Sequence, residues 1–292
     1  MAVSKALGQL VIIGGAEDKR DDCAILREFV RRSGGIGAHL VVMTVATGLP
    51  REVGEDYRRI FERLGVEQIE ILDTAERDQA DRPEAIAQIE AATGIFFTGG
   101  DQSRITEVLK GTELERVLHQ RYEAGAVIAG TSAGAAMMPD MMILEGEAET
   151  NPRVEVVTMD QGMGFLPGVV IDQHFAERGR LGRLLAAIAQ QPVVLGFGID
   201  ENTAIAVSGN ELEVLGSGSV TVVDVADLSH DNLSETLRDE PLALCDVRLH
   251  ILPAGYRFDL DTRRPLTAAD RPIIDAPAVT SQPADLKTAI AS

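Results

Sequence analysis

Short apolar runs alternate with amphipathic stretches along the first half of the chain. Leu10-Val11-Ile12-Ile13 is a continuous run of branched residues stopped by Gly14-Gly15, the pattern of a strand buried on both faces. From Asp21-Asp22 the period becomes helical, with Ile25, Leu26, Phe29 and Val30 on one face and Gly34-Gly35 at the end. The alternation continues with a strand over 40–45 and a helix carrying Tyr57, Ile60, Phe61 and Leu64 that stops at Gly65. A strand over 69–72, a helix over 86–92 and a strand over 95–97 come next, then helical sequence over 103–110 and 113–123. The apolar run Ala126-Val127-Ile128-Ala129 adds a further strand. This order predicts a mostly parallel α/β sheet covered by helices on both faces. In such sheets sites gather beyond the carboxyl ends of the strands. Gly14-Gly15, Thr98-Gly99-Gly100-Asp101 and Gly130-Thr131-Ser132-Ala133-Gly134 all fall at that edge.

After Pro139 the pattern loosens, and 141–164 reads as a loop or hairpin excursion. A strand over 168–172 resumes the sheet, with Gln173-His174-Phe175 directly behind it and a helix through Leu184, Leu185 and Ile188. From Val193 several short strands follow (193–197, 204–207, 212–215, 220–225, 247–252 and 256–260). With no Pro/Gly/Ser linker before them, they are expected to extend the same sheet in antiparallel fashion. Residues 1–265 are thus expected to form a single catalytic domain. Residues 266–292, with Pro272, Pro277 and Pro283, are expected to form an extended tail.

Chemistry concentrates on Gly130-Thr131-Ser132-Ala133-Gly134, a G-x-S-x-G pentapeptide between a strand and a helix of small residues. A nucleophile on that turn is held in a strained conformation that projects its hydroxyl clear of the sheet. The start of the following helix places free N–H groups near any oxyanion that forms. Successive N–H groups at Gly99-Gly100-Asp101 are further donors for that charge. Of the five histidines, His39 lies in a strand, His119 in a helix, His230 in a polar loop and His250 inside an apolar run. His174 falls just past a strand's carboxyl end, at the edge that holds Ser132, and is the expected general base. Asp200, Glu201 and Asp172 are all placed to orient it, and spacing does not choose among them. Arg178, Arg180 and Arg183 follow closely. They either grip a substrate's carboxylates or pair with nearby acids at a helix start.

Charge narrows the partners. Lys and Arg number 27 against 46 Asp and Glu, a net charge of −19. That argues against nucleic acid or an anionic membrane surface; it either draws a cationic substrate or simply keeps the chain soluble. Cys23 and Cys245 have no metal-like or C-x-x-C spacing, which fits a reducing compartment. Neither a metal nor a cofactor is expected. The first apolar run is too short for a signal-peptide core, and a cytoplasmic protein is expected.

Together these segments closely resemble the cyanophycinases. The blocks are Phe97-Thr98-Gly99-Gly100-Asp101-Gln102, Gly130-Thr131-Ser132-Ala133-Gly134-Ala135, Asp172-Gln173-His174-Phe175, Arg178-Gly179-Arg180-Leu181-Gly182-Arg183 and Ile199-Asp200-Glu201-Asn202-Thr203. Asp246-Val247-Arg248-Leu249-His250-Ile251-Leu252-Pro253-Ala254-Gly255 is similar as well. The resemblance implies a three-layer flavodoxin-like fold related to class I glutamine amidotransferases. It implies a serine exopeptidase that releases β-Asp-Arg dipeptides from cyanophycin, a poly-aspartate carrying arginine on each β-carboxyl. By the same resemblance Ser132 is the nucleophile, His174 the base and Glu201 the orienting acid; the turn and the helix start place Gly100, Asp101 and Ala133 around the oxyanion. Gln102, Asp172, Gln173, Arg178, Arg180 and Arg183 would shape the substrate pocket of a cytoplasmic, metal-free homodimer. The nearest alternative on this scaffold is an aspartyl dipeptidase acting on small Asp-Xaa peptides. An ester-cleaving α/β-hydrolase would need a later histidine as base, and a non-catalytic binding module would leave Ser132 unreactive.

Overall fold

A computed structural model describes residues 8–148, 150–191 and 195–266. Its centre is a nine-stranded sheet. Five parallel strands form one half: β1 (Gln9–Ile13), β2 (His39–Met43), β3 (Gln68–Leu72), β4 (Gly94–Phe97) and β5 (Val127–Thr131). Their order is β1-β5-β4-β2-β3. Branched residues alternate between the two faces: Leu10 and Ile12 enter one core, Val11 and Ile13 the other. Burial on both sides is why these strands read as unbroken apolar runs.

Helices supply the outer layers. α1 (Ala24–Arg32) and α2 (Pro50–Arg63) cover one face with Phe29, Tyr57 and Phe61, whose rings meet Phe96 of β4 at centroid distances of 4.6–5.6 Å. The other face is covered by the short α3 (Arg77–Ala80), α4 (Pro83–Ala91), α5 (Gln102–Leu109) and α6 (Glu113–Glu123). Asp101 caps α5 by accepting from the Ser103 N–H at 2.9 Å, and Thr112 caps α6. The four-residue α7 (Ala133–Ala136) follows β5 directly. This is the three-layer α/β architecture expected.

The second half departs from expectation in how its strands are shared out. β6 (Met141–Gly146) and β7 (Val157–Gln161) pair as an antiparallel hairpin, the excursion foreseen after Pro139. β8 (Val169–Gln173), α8 (Leu181–Ala189) and β9 (Leu195–Ile199) follow. β10 (Thr203–Ser208) and β11 (Glu211–Gly216) extend the main sheet beside β1. β12 (Ser219–Asp224) and, after the two-residue strands β13 (His230–Asp231) and β14 (Leu244–Cys245), β15 (Arg248–Pro253) do not. They join β9 and β8 in a separate four-stranded sheet of order β15-β12-β9-β8. One face of this sheet shares the main core through Ile171, Phe197, Val220 and Val222; the other packs Val170 and Val223 on Leu184 and Ile188 of α8.

The expected strand over 193–197 begins, among the described residues, at Leu195; Val193 and Val194 lie outside them. β16 (Arg257–Asp259) and β17 (Arg264–Leu266) close the main sheet's antiparallel edge, so its last strand runs across the expected start of the tail. Residues 267–292 lie outside the described part of the chain.

Candidate active site

β5 ends at Thr131, and the chain turns into α7 through Ser132 at φ 53°, ψ −109°. The two flanking glycines make the turn possible. A Cβ on Gly130 would lie 2.1 Å from the Gly134 carbonyl oxygen, and one on Gly134 2.5 Å from that of Phe97. Strand and helix therefore approach more closely than any side chain permits. The strained serine directs its hydroxyl at His174, with Oγ 3.0 Å from Nε2.

His174 follows β8 and is also held at positive φ, 47°. Its N–H donates to the Gly14 carbonyl at 2.8 Å, and its ring lies against Gly15. On its far side Nδ1 lies 2.6 Å from Glu201 Oε1. Of the three carboxylates left open, Glu201 is the one in contact with the ring. Asp200 accepts instead from the Ala176 N–H (3.2 Å), the Ser219 N–H (3.0 Å) and the Ser219 hydroxyl (2.9 Å), locking the turn after His174 to β12. Asp172 faces the arginines.

The expected oxyanion donors separate. Among the described residues the Gly100 and Ala133 N–H groups meet no acceptor, and Gly99 lies beside Ser132, a Cβ there falling 3.4 Å from the serine's own. Asp101 is a correction: its N–H donates to the Ala46 carbonyl at 2.9 Å and its carboxylate caps α5, so neither is available to an oxyanion. The Ser132 N–H is also engaged, by the Ile13 carbonyl at 3.1 Å.

The arginines divide as well. Arg183 donates through Nε to Asp172 Oδ2 at 2.9 Å and through Nη2 to Oδ1, a bidentate pair buried on both sides. Its Nη1 donates to the Gly146 carbonyl at 3.1 Å, tying α8 to the β6–β7 hairpin. Arg180 donates to the backbone carbonyl and side-chain oxygen of Gln173 at 2.5 and 2.8 Å. Burial pushes this guanidinium down to about 10, with Asp172 pulling the other way, so it remains charged at neutral pH. Two of the three arginines thus pair with neighbouring groups. Arg178 is exposed and has no ion-pair partner among the described residues. Gln102 donates to the carbonyls of Ile143 (3.2 Å) and Leu144, fastening α5 to β6.

A match to the family model of peptidase family S51 covers residues 10–215. The chain belongs to peptidase family S51. In this S51 peptidase the matched span includes the Ser132, His174 and Glu201 segments. A cyanophycinase of Trichormus variabilis is 44% identical over 90% of this chain and 89% of that protein. One from Synechococcus elongatus is 41% identical over 88% and 80%, and one from Geminocystis herdmanii 39% over 88% and 95%. Among solved structures, a peptidase from an acI-B1 actinobacterium superposes with a TM-score of 0.64 at 19% identity, covering 87% of this chain and 98% of its own. That likeness concerns the fold.

Sequence reasoning placed Gly14-Gly15 at this edge but gave no role to the polar residues that follow them on the β1 side of Ser132, His174 and Glu201. Gly15 and Asn202 border His174 and Glu201, the Asn202 N–H donating to the Gly15 carbonyl at 2.9 Å. Glu17 is buried and bonded to Thr131, the residue before Ser132. The glycine pair after β1 signalled the place. Nothing in the polar run Glu17-Asp18-Lys19-Arg20 distinguishes the one carboxylate that turns inward.

Proposed function

We propose that this S51 peptidase is a serine exopeptidase that hydrolyses cyanophycin to β-Asp-Arg dipeptides. The observation that carries the mechanism is the relay Ser132 Oγ–His174 Nε2–Glu201 Oε1, at 3.0 and 2.6 Å, on a serine held at positive φ. The substrate is supported by the cyanophycinases at 39–44% identity over nearly the whole of their length and this chain's.

His174 holds a proton on Nδ1, donated to Glu201, which leaves Nε2 free to accept from the Ser132 hydroxyl. Oγ attacks the scissile carbonyl carbon as its proton passes to Nε2. The resulting oxyanion is met by the N–H groups of Gly100 and Ala133. Glu201 stabilises the imidazolium, which then gives its proton to the departing amine as the C–N bond breaks. Water, deprotonated by His174, releases the acyl group and restores the serine. Arg178, exposed and without an ion-pair partner among the described residues, binds a carboxylate of the polymer. Asp172, Gln173, Arg180, Arg183 and Gln102 act as the frame that fixes the pocket wall. A homodimer in the cytoplasm is proposed on the resemblance alone.

The test is mass spectrometry of soluble products from insoluble cyanophycin, with Ser132→Ala in parallel. β-Asp-Arg released by the wild type and absent with the variant is the expected result. An intact polymer, with small Asp-Xaa peptides cut instead, would transfer the assignment to an aspartyl dipeptidase activity.

A further inference from the structure

Glu17 has no part in the relay, yet it is 4% exposed and its carboxylate is aimed at the nucleophile's turn. Two buried hydroxyls donate to it: Thr131 Oγ1 to Oε2 at 2.6 Å, and Tyr57 to Oε1. Lys19 Nζ stands 3.5 Å away on the solvent side, 4.4 Å from the centre of the Tyr57 ring. A carboxylate in such a place is expensive to desolvate, and an apolar side chain would fill the space at lower cost. The loop that delivers it is itself strained, with Gly15 and Ala16 at φ 104° and 47°.

The same segment touches Ser132 and His174 and reaches the neighbour of Glu201. The Ile13 carbonyl accepts from the Ser132 N–H at 3.1 Å, and the Gly14 carbonyl from the His174 N–H at 2.8 Å. Gly15 packs on the imidazole and its carbonyl accepts from Asn202, the neighbour of Glu201, at 2.9 Å. The Asp18 N–H donates to the Asn202 side chain at 2.8 Å. Among the described residues, Glu17 is the one side chain of this loop that hydrogen-bonds to β5. Its other anchor, Tyr57, is set rigidly among Phe61 and Phe96.

We infer that Glu17 is a positioning residue for acyl transfer: through Thr131 it fixes the strained Ser132 turn against the β1–α1 loop on which His174 rests. This rests on Ser132 being the nucleophile proposed above. The experiment therefore uses covalent labelling of Ser132 by a fluorophosphonate, which needs no cyanophycin, and separates the maximal labelling rate from the reagent's KI.

Glu17→Gln and Thr131→Val should each lower the maximal labelling rate by about tenfold or more while KI stays within about twofold, as expected of a misaimed rather than emptied site. Thr131→Ser, which keeps the hydroxyl, should restore the rate to within about threefold of wild type. Tyr57→Phe removes the other hydroxyl from the same carboxylate but does not adjoin Ser132. It should depress the melting temperature as much as Thr131→Val with less than about a threefold loss of rate. Labelling rates that simply track melting temperature across the variants, or that equal the wild type's in Glu17→Gln and Thr131→Val, would overturn the assignment to Glu17. A wild-type protein that takes no label overturns the nucleophile itself, a distinct result.

Discussion

Gly15 has no side chain where the imidazole of His174 needs the space. A Cβ at this position would lie 2.3 Å from His174 Cε1, and the backbone φ of 104° disfavours any L side chain. Nor can His174 retreat easily, since its N–H is bonded to Gly14 and its Nδ1 to Glu201. Gly15→Ala should therefore push Nε2 off the serine. A displacement of about 1 Å costs on the order of a hundredfold in rate, so kcat should fall by about that factor. The check is steady-state kinetics beside a thermal melt. If kcat survives with the melt unchanged, the ring has room that these distances deny it.

At the scale of elements, the β8–α8 connection separates residues that the sequence groups together. Asp172 and Arg183 form a bidentate pair with almost no exposure, and removing one partner strands the other's charge in the interior. Breaking such a pair costs about 3–5 kcal/mol. Arg183→Ala should lower the unfolding free energy by that order in a urea titration. Arg178→Ala should leave stability untouched and instead raise KM for a carboxylate-bearing substrate, by about 1.5–3 kcal/mol for a charge-assisted contact. Equal effects on stability would contradict this division of roles.

The β1–α1 loop behaves as an element too. Asp18 accepts from the N–H groups of Arg20, Asp21 and Cys23, and those bonds hold its carboxyl down to about 2. Because the folded value lies below the usual one, the ordering is complete above about pH 4 and is lost as pH falls through about 2. Hydrogen exchange at those three amides should accelerate across that window and be insensitive to it in Asp18→Asn. A midpoint near 4 would show that the bonds do not hold the carboxylate.

Elements of this kind also explain what was legible in advance. The parallel half of the sheet was readable because burial on both faces leaves runs such as Leu10–Ile13, and the tight strand-to-helix turn at Ser132 because a G-x-S-x-G turn needs its glycines. The split of β8, β9, β12 and β15 into a second sheet was not, since apolar alternation records burial and not which neighbour supplies it. Nor could spacing separate Asp200 from Glu201. Adjacent residues point opposite ways, and the direction is set by Ser219 and Ala176, far away in sequence or hidden in a turn.

For the molecule as a whole, a net charge of −19 invites the idea that acidity draws the substrate in. The chemistry of the proposed polymer argues otherwise. Arginine joined through its amine to each β-carboxyl keeps one guanidinium and one carboxylate, so every repeat is neutral and long-range attraction cancels. Steering raises association rates by about 10–10³ only where net charges oppose, and it fades as the screening length shrinks from about 30 Å at 0.01 M salt to about 3 Å at 1 M. Raising NaCl from about 20 mM to about 500 mM should therefore change kcat/KM on soluble β-Asp-Arg oligomers by less than about threefold. Oligomers whose arginine carboxylates have been amidated are net cationic and should lose about tenfold or more over the same range. A steep fall with the native oligomers would mean that the guanidiniums meet the acidic surface before the carboxylates are felt. A flat response from both would leave the charge to solubility and selection to contacts such as Arg178.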